Sequence, residues 1–247
     1  QRQTLLFSAT YPEQIQQMSL KVQRNPHLIQ VHDETATHKI EQQFYKVTNQ
    51  HRIRSAAAVL TDRQPDTAIV FCNTRVDCQM VADELQSMGF SALALHGDIE
   101  QKHRSEILTR FANRSARVLV ATDVAARGLD VKDVSLVINY QPSFEPDVHI
   151  HRIGRTGRAD ASGFAVTLVA DSEIKYIEAI EQLMQIKAKY KGIETLRFHA
   201  NRIVAAEYQT IAIDGGKKAK LRPGDILGAL TKEAEIPGDD IGKINIT

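Results

Sequence analysis

No tryptophan occurs in this sequence, and cysteine occurs only twice, as Cys72 and Cys78. The two cysteines form no C-x-x-C pair, and no histidine lies near them at the spacing of a metal ligand. The sequence therefore predicts neither a disulfide framework nor a zinc site, and no other metal site is predicted in the chain. We expect both cysteines to be reduced, half-buried thiols of a cytosolic protein.

Long apolar runs and an excess of charge are absent too. No apolar run approaches the roughly 20 residues that a helix needs to span a bilayer, and no charged-then-apolar leader opens the chain. We expect a soluble, cytoplasmic protein without a membrane partner. The 31 basic and 30 acidic residues leave a formal net charge of +1, so attraction to nucleic acid has to come from local basic clusters.

What remains is an ordinary globular composition. Of the 247 residues, 43% are apolar and 25% are charged, which suffices for one well-packed domain and a smaller one. The chain begins at Gln1 rather than at Met, and it ends at Asn245-Ile246-Thr247 in a strand-like pattern. We expect both ends to be cuts from a longer protein.

Short apolar, β-branched runs alternate with amphipathic helical patterns through the middle of the chain. Val81, Leu85 and Met88, for example, follow the spacing i, i+4, i+7 of a helix with one apolar face. Buried strands are predicted at Ile40–Val47, Ala68–Cys72, Ala92–His96, Val118–Thr122, Leu136–Tyr140 and Phe164–Val169. This alternation predicts an α/β domain over residues 40–190, with a mostly parallel sheet and helices on both faces.

Residues 1–31 do not fit this alternating pattern. They contain a predicted strand, Thr4–Phe7, and a predicted helix, Pro12–Gln23, before a turn at Asn25-Pro26. The polar stretch 32–39 is predicted to be a linker.

The pattern changes again beyond the core. A helix is predicted at Asp171–Lys189, followed by a polar connector over residues 191–206. Residues 207–247 have a strand, helix and strand pattern, which predicts an incomplete α+β segment. Its predicted elements are a strand at Gln209–Asp214, a helix from Ile226 and a strand at Gly242–Ile246.

Three polar segments follow predicted strands, which is where open parallel sheets bind their ligands. The first is His96-Gly97-Asp98, with Arg104 on the next helix. Gly97 would let a ligand approach the backbone, the helix N-terminus offers N–H groups, and Arg104 adds positive charge. The combination suits a phosphodiester backbone, and a glycine turn with Asp98 as the N-cap of the helix is an equally good interpretation.

The second segment runs from Ala121 to Asp130. Thr122 at the strand end can donate a hydrogen bond to a phosphate, and Asp130 offers acceptors for a ribose diol. A capped short helix that ends at Gly128 is the slightly favoured alternative when this segment is considered alone.

The third segment places Arg152, Arg155 and Arg158 at every third residue around Gly154 and Gly157. Three guanidinium groups on one short stretch repel one another unless an anion shares the site, and a triphosphate is such an anion. Arginine suits bidentate phosphate recognition, and an arginine finger at a transferring phosphoryl group contributes about 10³ to 10⁵ in rate. The alternative is a solvated basic turn.

In their order and spacing, these segments resemble the C-terminal motifs of DEAD-box ATP-dependent RNA helicases. His96-Gly97-Asp98 with Gln101 and Arg104 matches one motif, Ala121–Asp130 matches the next, and His151–Arg158 matches the last. The set is highly specific as a set, although each member alone is weaker.

Two further segments extend the resemblance over residues 1–190. Ser8-Ala9-Thr10 resembles the motif that ends the family's N-terminal domain, and Phe71–Thr74 resembles a strand-end motif that contacts RNA. The resemblance implies that residues 40–190 form the C-terminal RecA-like domain. It also implies that residues 1–31 are the orphaned end of an N-terminal RecA-like domain.

The resemblance assigns roles position by position. Arg155 and Arg158 match the catalytic arginines that reach the γ-phosphate of ATP held on the other domain, while Asp130 and Gly128 match its ATP-binding segment, with Asp130 at the ribose. Positions that match RNA contacts are Thr74, Gly97, Arg104 and Thr122. Positions that match residues coupling ATP hydrolysis to unwinding are Ser8, Thr10 and His151.

The sequence departs from the family in one large respect. It contains neither the G-x-x-x-x-G-K-[ST] phosphate loop nor the D-E-A-D carboxylates. The family's cofactors are ATP and Mg²⁺, and we expect the Mg²⁺ ligands on the missing N-terminal RecA-like domain. The chain alone is therefore expected to be inactive as an ATPase.

Residues 211–244 resemble the RNA-binding domain of DbpA-type bacterial helicases, of which about the first half of an RRM-like fold is present. That resemblance implies binding to large-subunit ribosomal RNA of the 23S type and a role in ribosome assembly. Lys217, Lys218 and Lys220 are the candidate RNA-binding residues of its basic loop, for which a solvated turn is the alternative.

Two other functions compete with an ATP-dependent RNA helicase. One is a non-catalytic RNA-binding or interaction module that uses the tail and the strand-end loops without ATP chemistry. The other is a DNA translocase with the same RecA-like fold, which the form of the last motif and of Ser8-Ala9-Thr10 disfavours.

Overall fold

A computed structural model describes residues 3–7, 13–29, 40–126, 134–157, 163–213 and 215–246. They divide into two compact units, residues 1–208 and 209–247, which are described separately. The strands are β1 (Ile40–Lys46), β2 (Ala68–Cys72), β3 (Ala92–Leu95), β4 (Val118–Thr122), β5 (Leu136–Asn139), β6 (Gly163–Val169) and β7 (Tyr190–Gly192). The α-helices are α1 (Glu13–Val22), α2 (Arg52–Arg63), α3 (Arg75–Ser87), α4 (Gln101–Ala112), α5 (Asp123–Ala126), α6 (Pro146–Ile153), α7 (Ile174–Met184) and α8 (Pro223–Gly228).

The seven strands form one sheet in the order β3-β4-β2-β5-β6-β1-β7, and every strand pair is parallel. Strand β2 shows why the sheet is buried on both faces. Ala68, Val70 and Cys72 belong to one apolar cluster, whereas Ile69 and Phe71 belong to another on the opposite face. This alternation follows from the two-residue period of a strand, and a parallel sheet covered on both sides is confirmed.

The structure contains a strand that the sequence did not predict. β7 is only three residues long and pairs with β1 through Phe44 and Tyr190. The predicted helix over Asp171–Lys189 is wrong at its end, because α7 stops at Met184. Gln185 adopts a left-handed conformation with φ of 54°, and the Glu181 carboxylate accepts a hydrogen bond from the Ala188 backbone at 2.7 Å. These contacts turn the chain back toward the sheet.

The predicted polar connector, residues 191–206, is packed along the first unit. Ile193, Leu196, Phe198 and Ile203 pack against the larger apolar cluster. The His199 backbone N–H donates to the Thr61 hydroxyl at 3.3 Å. The stretch is polar in composition, but these four apolar side chains contact the core.

Helix α1 confirms the predicted helix near the start of the chain, whereas the predicted strand over Thr4–Phe7 is not formed. The predicted strands over Gln209–Asp214 and Gly242–Ile246 are not formed in residues 209–213 and 242–246 either. A strand exists only when a neighbour satisfies its backbone groups, and none of these segments has such a partner among the described residues.

Helix α8 confirms a helix in the second unit but begins earlier than the predicted start at Ile226. Pro223 occupies its first turn, where proline's missing N–H costs nothing. The Asp225 carboxylate accepts from the Arg222 backbone N–H at 2.9 Å and caps the helix.

Candidate functional site

The loops that follow β2, β3, β4 and β5 meet at one edge of the sheet, because the strands are parallel and in register. Cys72 pairs with Thr122, Leu95 pairs with Ala121, and Phe71 pairs with Asn139. The described parts of all three predicted segments therefore lie at, or pack beside, the carboxyl edge of the sheet, where ligands of open parallel sheets bind.

Arg152 is the buried centre of this edge, with its side chain only 1% exposed. Its Nε and Nη2 atoms donate to the two carboxylate oxygens of Asp123, each at 2.7 Å. Nη2 also donates to Asn73 Oδ1 at 2.7 Å, and Nη1 donates to the Gln141 carbonyl at 2.9 Å. Asp123 therefore neutralises Arg152 within the chain, and an external anion is not needed to balance the charge of this arginine.

Arg155 lies one turn beyond Arg152 and is half-buried. It lines a small pocket together with His151, and the other lining residues are Phe71, Asp123, Ala126, Val148 and Arg152. The Arg155 carbonyl accepts a hydrogen bond from the Val134 backbone at 3.2 Å, which fixes the turn after α6. A guanidinium beside a pocket at a strand edge suits a phosphate group.

The glycines of this segment have a structural requirement. Gly157 has a φ of +75°, and a Cβ there would lie 2.9 Å from Ile40 Cγ1. A Cβ on Gly163 would lie 2.6 Å from the Gly157 nitrogen. The backbone after α6 therefore passes directly against the start of β6, and only glycine fits both positions.

Gly97 and Arg104 lie in and just after the loop that follows β3. Gly97 is exposed, and a Cβ added there would meet no atom of the described residues within 4 Å, so this part of the chain leaves the space beside Gly97 open. Arg104 donates from Nη2 to the Ala125 carbonyl and so connects α4 to α5. The alternative that Asp98 caps the following helix is wrong, since Glu100 is the N-cap residue and Asp98 pairs with Arg75.

Thr74 and Thr122 lie at neighbouring strand ends. Thr74 is exposed and caps α3, accepting from the Asp77 N–H at 3.0 Å and donating to the Asp77 carboxylate at 2.8 Å. Thr122 is only 7% exposed and ends β4. Thr74 thus presents its hydroxyl at the surface of this edge, whereas most of the Thr122 side chain is covered.

The remaining predicted site residues fall elsewhere. Arg158, Gly128, Asp130, Ser8 and Thr10 lie outside the described residues. In the second unit, Lys218 and Lys220 are exposed, and the side chain of Lys217 is outside what the structure describes.

His149 is a buried residue of α6, and no sequence pattern had singled it out. Its Nε2 lies 2.9 Å from Gln42 Oε1, and its ring stacks against Phe44 with centroids 6.5 Å apart. Burial, with a smaller contribution from the positive charge of Arg152, lowers the pKa of His149 from 6.5 to about 3. The imidazole is therefore neutral at physiological pH.

Both cysteines are fully buried, not half-buried as predicted. Burial raises the pKa of the Cys78 thiol to about 11 and holds the pKa of Cys72 well above its usual range. Neither thiol is a nucleophile at neutral pH.

The described ranges contain neither a metal-ligand cluster nor a membrane-spanning helix. No group of three or more His, Cys, Asp or Glu side chains there could hold a metal ion. Within the same ranges, none of the helices has the length and apolar character needed to cross a membrane.

Comparison with known proteins identifies the family. Residues 50–160 match the helicase conserved C-terminal domain, and residues 210–247 match the DbpA RNA binding domain. The ATP-dependent RNA helicase DbpA of Escherichia coli is 50% identical over 248 residues, which is 99% of this chain and 53% of that protein. This chain belongs to the DEAD-box RNA helicase family.

Other DEAD-box relatives agree. The ATP-dependent RNA helicase DbpA of Bacillus subtilis is 32% identical over all of this chain and 56% of its own length. A DEAD box protein from Methanococcus jannaschii superposes with a TM-score of 0.60 at 35% identity, over 75% of this chain and 50% of that one. Saccharomyces cerevisiae Dbp5 bound to RNA and ADP BeF3 superposes with a TM-score of 0.67 at 28% identity, over 76% and 51% of the two chains. The chain spans about half the length of its curated relatives.

Proposed function

We propose that this chain is the C-terminal half of an ATP-dependent RNA helicase, which unwinds short RNA duplexes when ATP and RNA together close two RecA-like domains. The observation that carries the proposal is the convergence of Thr74, Gly97, Arg104 and Arg155 around one carboxyl edge of the sheet. In this proposal the chain supplies one wall of an active site that the other domain completes.

The RNA-binding part of this edge consists of the loops after β2, β3 and β4. Thr74 presents an exposed hydroxyl, and the open space at Gly97 lets a sugar-phosphate backbone approach the chain closely. Arg104 and Thr122 complete the proposed track, where Arg104 adds positive charge while also bonding to the Ala125 carbonyl. The likeness to a Dbp5 structure that holds RNA and ADP BeF3 supports both ligands.

The ATP-binding part consists of the turn after α6. Arg155 lies beside the pocket at this edge and is the proposed finger for the γ-phosphate, together with Arg158. Arg152 anchors the helix instead, since its charge is already paired with Asp123. Asp130 and Gly128 are proposed to hold the ribose end of ATP, and Mg²⁺ is proposed to bind on the other domain.

Closure of the two domains would gate the chemistry. The proposed finger reaches the phosphates only when both ligands hold the domains together, so binding energy is converted into assembly of the site. His151, which lines the same pocket as Arg155, is proposed to bridge to the other domain. Ser8 and Thr10 are proposed to couple hydrolysis with unwinding.

The second unit is proposed to select the RNA. Its match to the DbpA RNA binding domain supports RNA as the ligand. Large-subunit ribosomal RNA of the 23S type is the proposed target, and ribosome assembly in the cytoplasm is the proposed setting. Lys217, Lys218 and Lys220 are the proposed phosphate contacts. A specific site should retain RNA hairpin binding at a salt concentration that abolishes purely electrostatic binding.

The test joins this chain to the amino-terminal half of the helicase, taken from its own gene or from the Escherichia coli relative. Arg155→Ala and Arg158→Ala should each lower RNA-stimulated ATP hydrolysis about 10³-fold, the usual contribution of an arginine finger. Arg110→Ala is the matched control, because Arg110 is an exposed arginine in the last turn of α4. Undiminished hydrolysis in Arg155→Ala would show that the proposed role of this arginine is wrong.

A further inference from the structure

A continuous hydrogen-bonded path, made of side chains and of backbone groups of Asn73 and Gln141, connects Thr74 to Arg152. The Thr74 hydroxyl donates to Asp77 Oδ2 at 2.8 Å, and Gln141 Nε2 donates to the same oxygen at 3.0 Å. Gln141 Oε1 in turn accepts from the Asn73 backbone N–H at 3.0 Å. Gln141 therefore joins the loop after β2 to the loop after β5 through both ends of its amide.

The hydrogen-bonded path continues from Asn73 to Arg152 in α6. Asn73 Oδ1 accepts from Arg152 Nη2 at 2.7 Å, and Asn73 Nδ2 donates to the Pro142 carbonyl at 2.9 Å. The Gln141 carbonyl accepts directly from Arg152 Nη1 at 2.9 Å. The main chain of Arg155 is then held to that of Arg152, with an N–H to carbonyl distance of 3.2 Å.

Each side-chain amide in this hydrogen-bonded path has its orientation fixed by its partners. Gln141 must donate toward the Asp77 carboxylate and accept from a backbone N–H, and Asn73 must accept from a guanidinium and donate to a carbonyl. Gln141, Asn73 and Asp77 are all half-buried, and Arg152 is buried. A rigid, oriented path of this kind transmits a change at one end better than a set of solvated contacts.

Thr74 supplies the change at one end. A threonine hydroxyl has a single hydrogen to donate, and here it goes to Asp77. An RNA phosphate that accepts this hydrogen takes it away from Asp77, which leaves Gln141 as the remaining side-chain donor to Oδ2. The Asp77–Gln141 hydrogen bond is thus the first contact inside the protein that RNA binding at Thr74 would change.

We propose that Gln141, acting with Asp77, is a positioning residue that transmits RNA contact at Thr74 to Arg152 in α6 and to Arg155 in the turn that follows it. The proposal rests on the proposed function, which places RNA at Thr74 and ATP at Arg155. Gln141 touches neither ligand in this scheme. Gln141 sets the position of α6 and of the following turn when RNA is bound.

The readout is RNA stimulation of ATP hydrolysis, measured as the ratio of kcat with and without RNA in the chain joined to its amino-terminal half. Gln141→Ala should lower this ratio about fivefold, the lower range of measured coupling between sites, while hydrolysis without RNA stays unchanged. Gln86→Ala is the matched control, because it removes one partly buried glutamine hydrogen bond, to the Ala92 carbonyl at 2.7 Å, outside the path. Its ratio should equal that of the parent.

A paired exchange separates transmission from mere stability. Gln141→Glu places a second carboxylate beside Asp77, and Asp77→Asn removes the acceptor charge, so each alone should lower the ratio. In the double variant, the amide introduced at position 77 can donate to the carboxylate introduced at position 141, and the ratio should return to within about twofold of the parent. A double variant that loses as much as the two single changes combined overturns the proposal.

The two proposals fail in different ways. If Arg155→Ala abolishes ATP hydrolysis but Gln141→Ala and Gln141→Glu keep the parent ratio, the transmission role of Gln141 is wrong and the helicase function stands. If the Arg155→Ala variant hydrolyses ATP normally, the proposed role of Arg155 is itself wrong, whatever the Gln141 variants do.

Discussion

Buried Arg152 at the carboxyl edge of the parallel sheet and buried Arg117 at its amino edge are paired differently. At the carboxyl edge, Arg152 donates hydrogen bonds from all three guanidinium nitrogens and pairs with an Asp123 side chain that is 24% exposed. At the amino edge, Arg117 pairs with Asp66 at 3.1 Å, and that carboxylate is 64% exposed. Arg117 Nε has no partner among the described residues.

The two arginines also differ in the segments that they hold together. Arg152 joins the strand-end loops that contain the candidate binding residues, so its geometry is specified from several directions. Arg117 joins the loop before β2 to the end of the packed connector, donating to the Pro65 and Ala205 carbonyls. The carboxyl-edge arginine thus holds together the loops with the candidate binding residues, whereas the amino-edge arginine holds the end of the connector.

Removing Arg152 should have the largest effect on stability. Arg152→Ala leaves the Asp123 carboxylate partly buried without its partner, which should lower the free energy of unfolding by about 3–5 kcal/mol. Urea unfolding of the isolated chain, followed by circular dichroism, measures the loss. A loss below about 1 kcal/mol would mean that Asp123 is solvated as well as Asp66 is, and the contrast between the two edges would disappear.

Gly157→Ala should come next. An alanine there needs a left-handed backbone and brings its Cβ to 2.9 Å from Ile40 Cγ1. We expect a loss of about 2 kcal/mol in the free energy of unfolding, from strain and contact together. Gly97→Ala is the control, since a Cβ there meets no described atom within 4 Å, and it should unfold like the parent. Equal unfolding of both variants would contradict the close approach of Gly157 to β6.

Arg117→Ala should cost less than Arg152→Ala, about 1.5 kcal/mol, because water can reach the exposed carboxylates that it leaves behind. It should also free the connector, so limited proteolysis should cut within residues 191–206 faster than in the parent. Protection of the connector equal to that of the parent would show that Arg117 does not hold it.

The neutral state of His149 predicts a pH dependence at the carboxyl edge. With a folded pKa of about 3, below the ordinary 6.5, His149 takes up a proton below pH 6.5 only in the unfolded chain. Stability is therefore lost as the pH falls from about 6.5 toward 3, and the His149 contribution between pH 6.5 and 5.5 is about 1 kcal/mol. His149→Gln should show a loss smaller by this amount, measured by urea unfolding at both pH values. An identical slope in the two proteins would contradict the buried, neutral imidazole.

The sheet was predictable from sequence because its evidence is local. Runs such as Ala68–Cys72 and Val118–Thr122 are short, β-branched and bounded by turns, and the structure places both strands at those bounds. β7 was not predictable, since three residues give no period. The unformed strands over 209–213 and 242–246 show the opposite case, in which a local pattern has no partner strand among the described residues.

The sequence pattern could not predict which of the site residues pair with one another. Arg152 resembles Arg155 in spacing, and only the fold brings Asp123, 29 positions earlier, against one of them. Gln141 gave no signal at all, because a lone glutamine after a strand has no pattern. Its role depends on the register of β2 beside β5, which long-range packing decides.

The central claim, that RNA lies along the carboxyl edge, has a direct test because both native thiols are buried and protonated. Gly97→Cys introduces one exposed thiol at this edge, and Ser87→Cys introduces one at the exposed far end of α3. In the chain joined to its amino-terminal half, with ADP and beryllium fluoride, a thiol-tethered single-stranded RNA should form a disulfide with the thiol at position 97 and not with the one at position 87. Equal cross-linking at the two positions, or cross-linking at position 87 alone, would contradict the account.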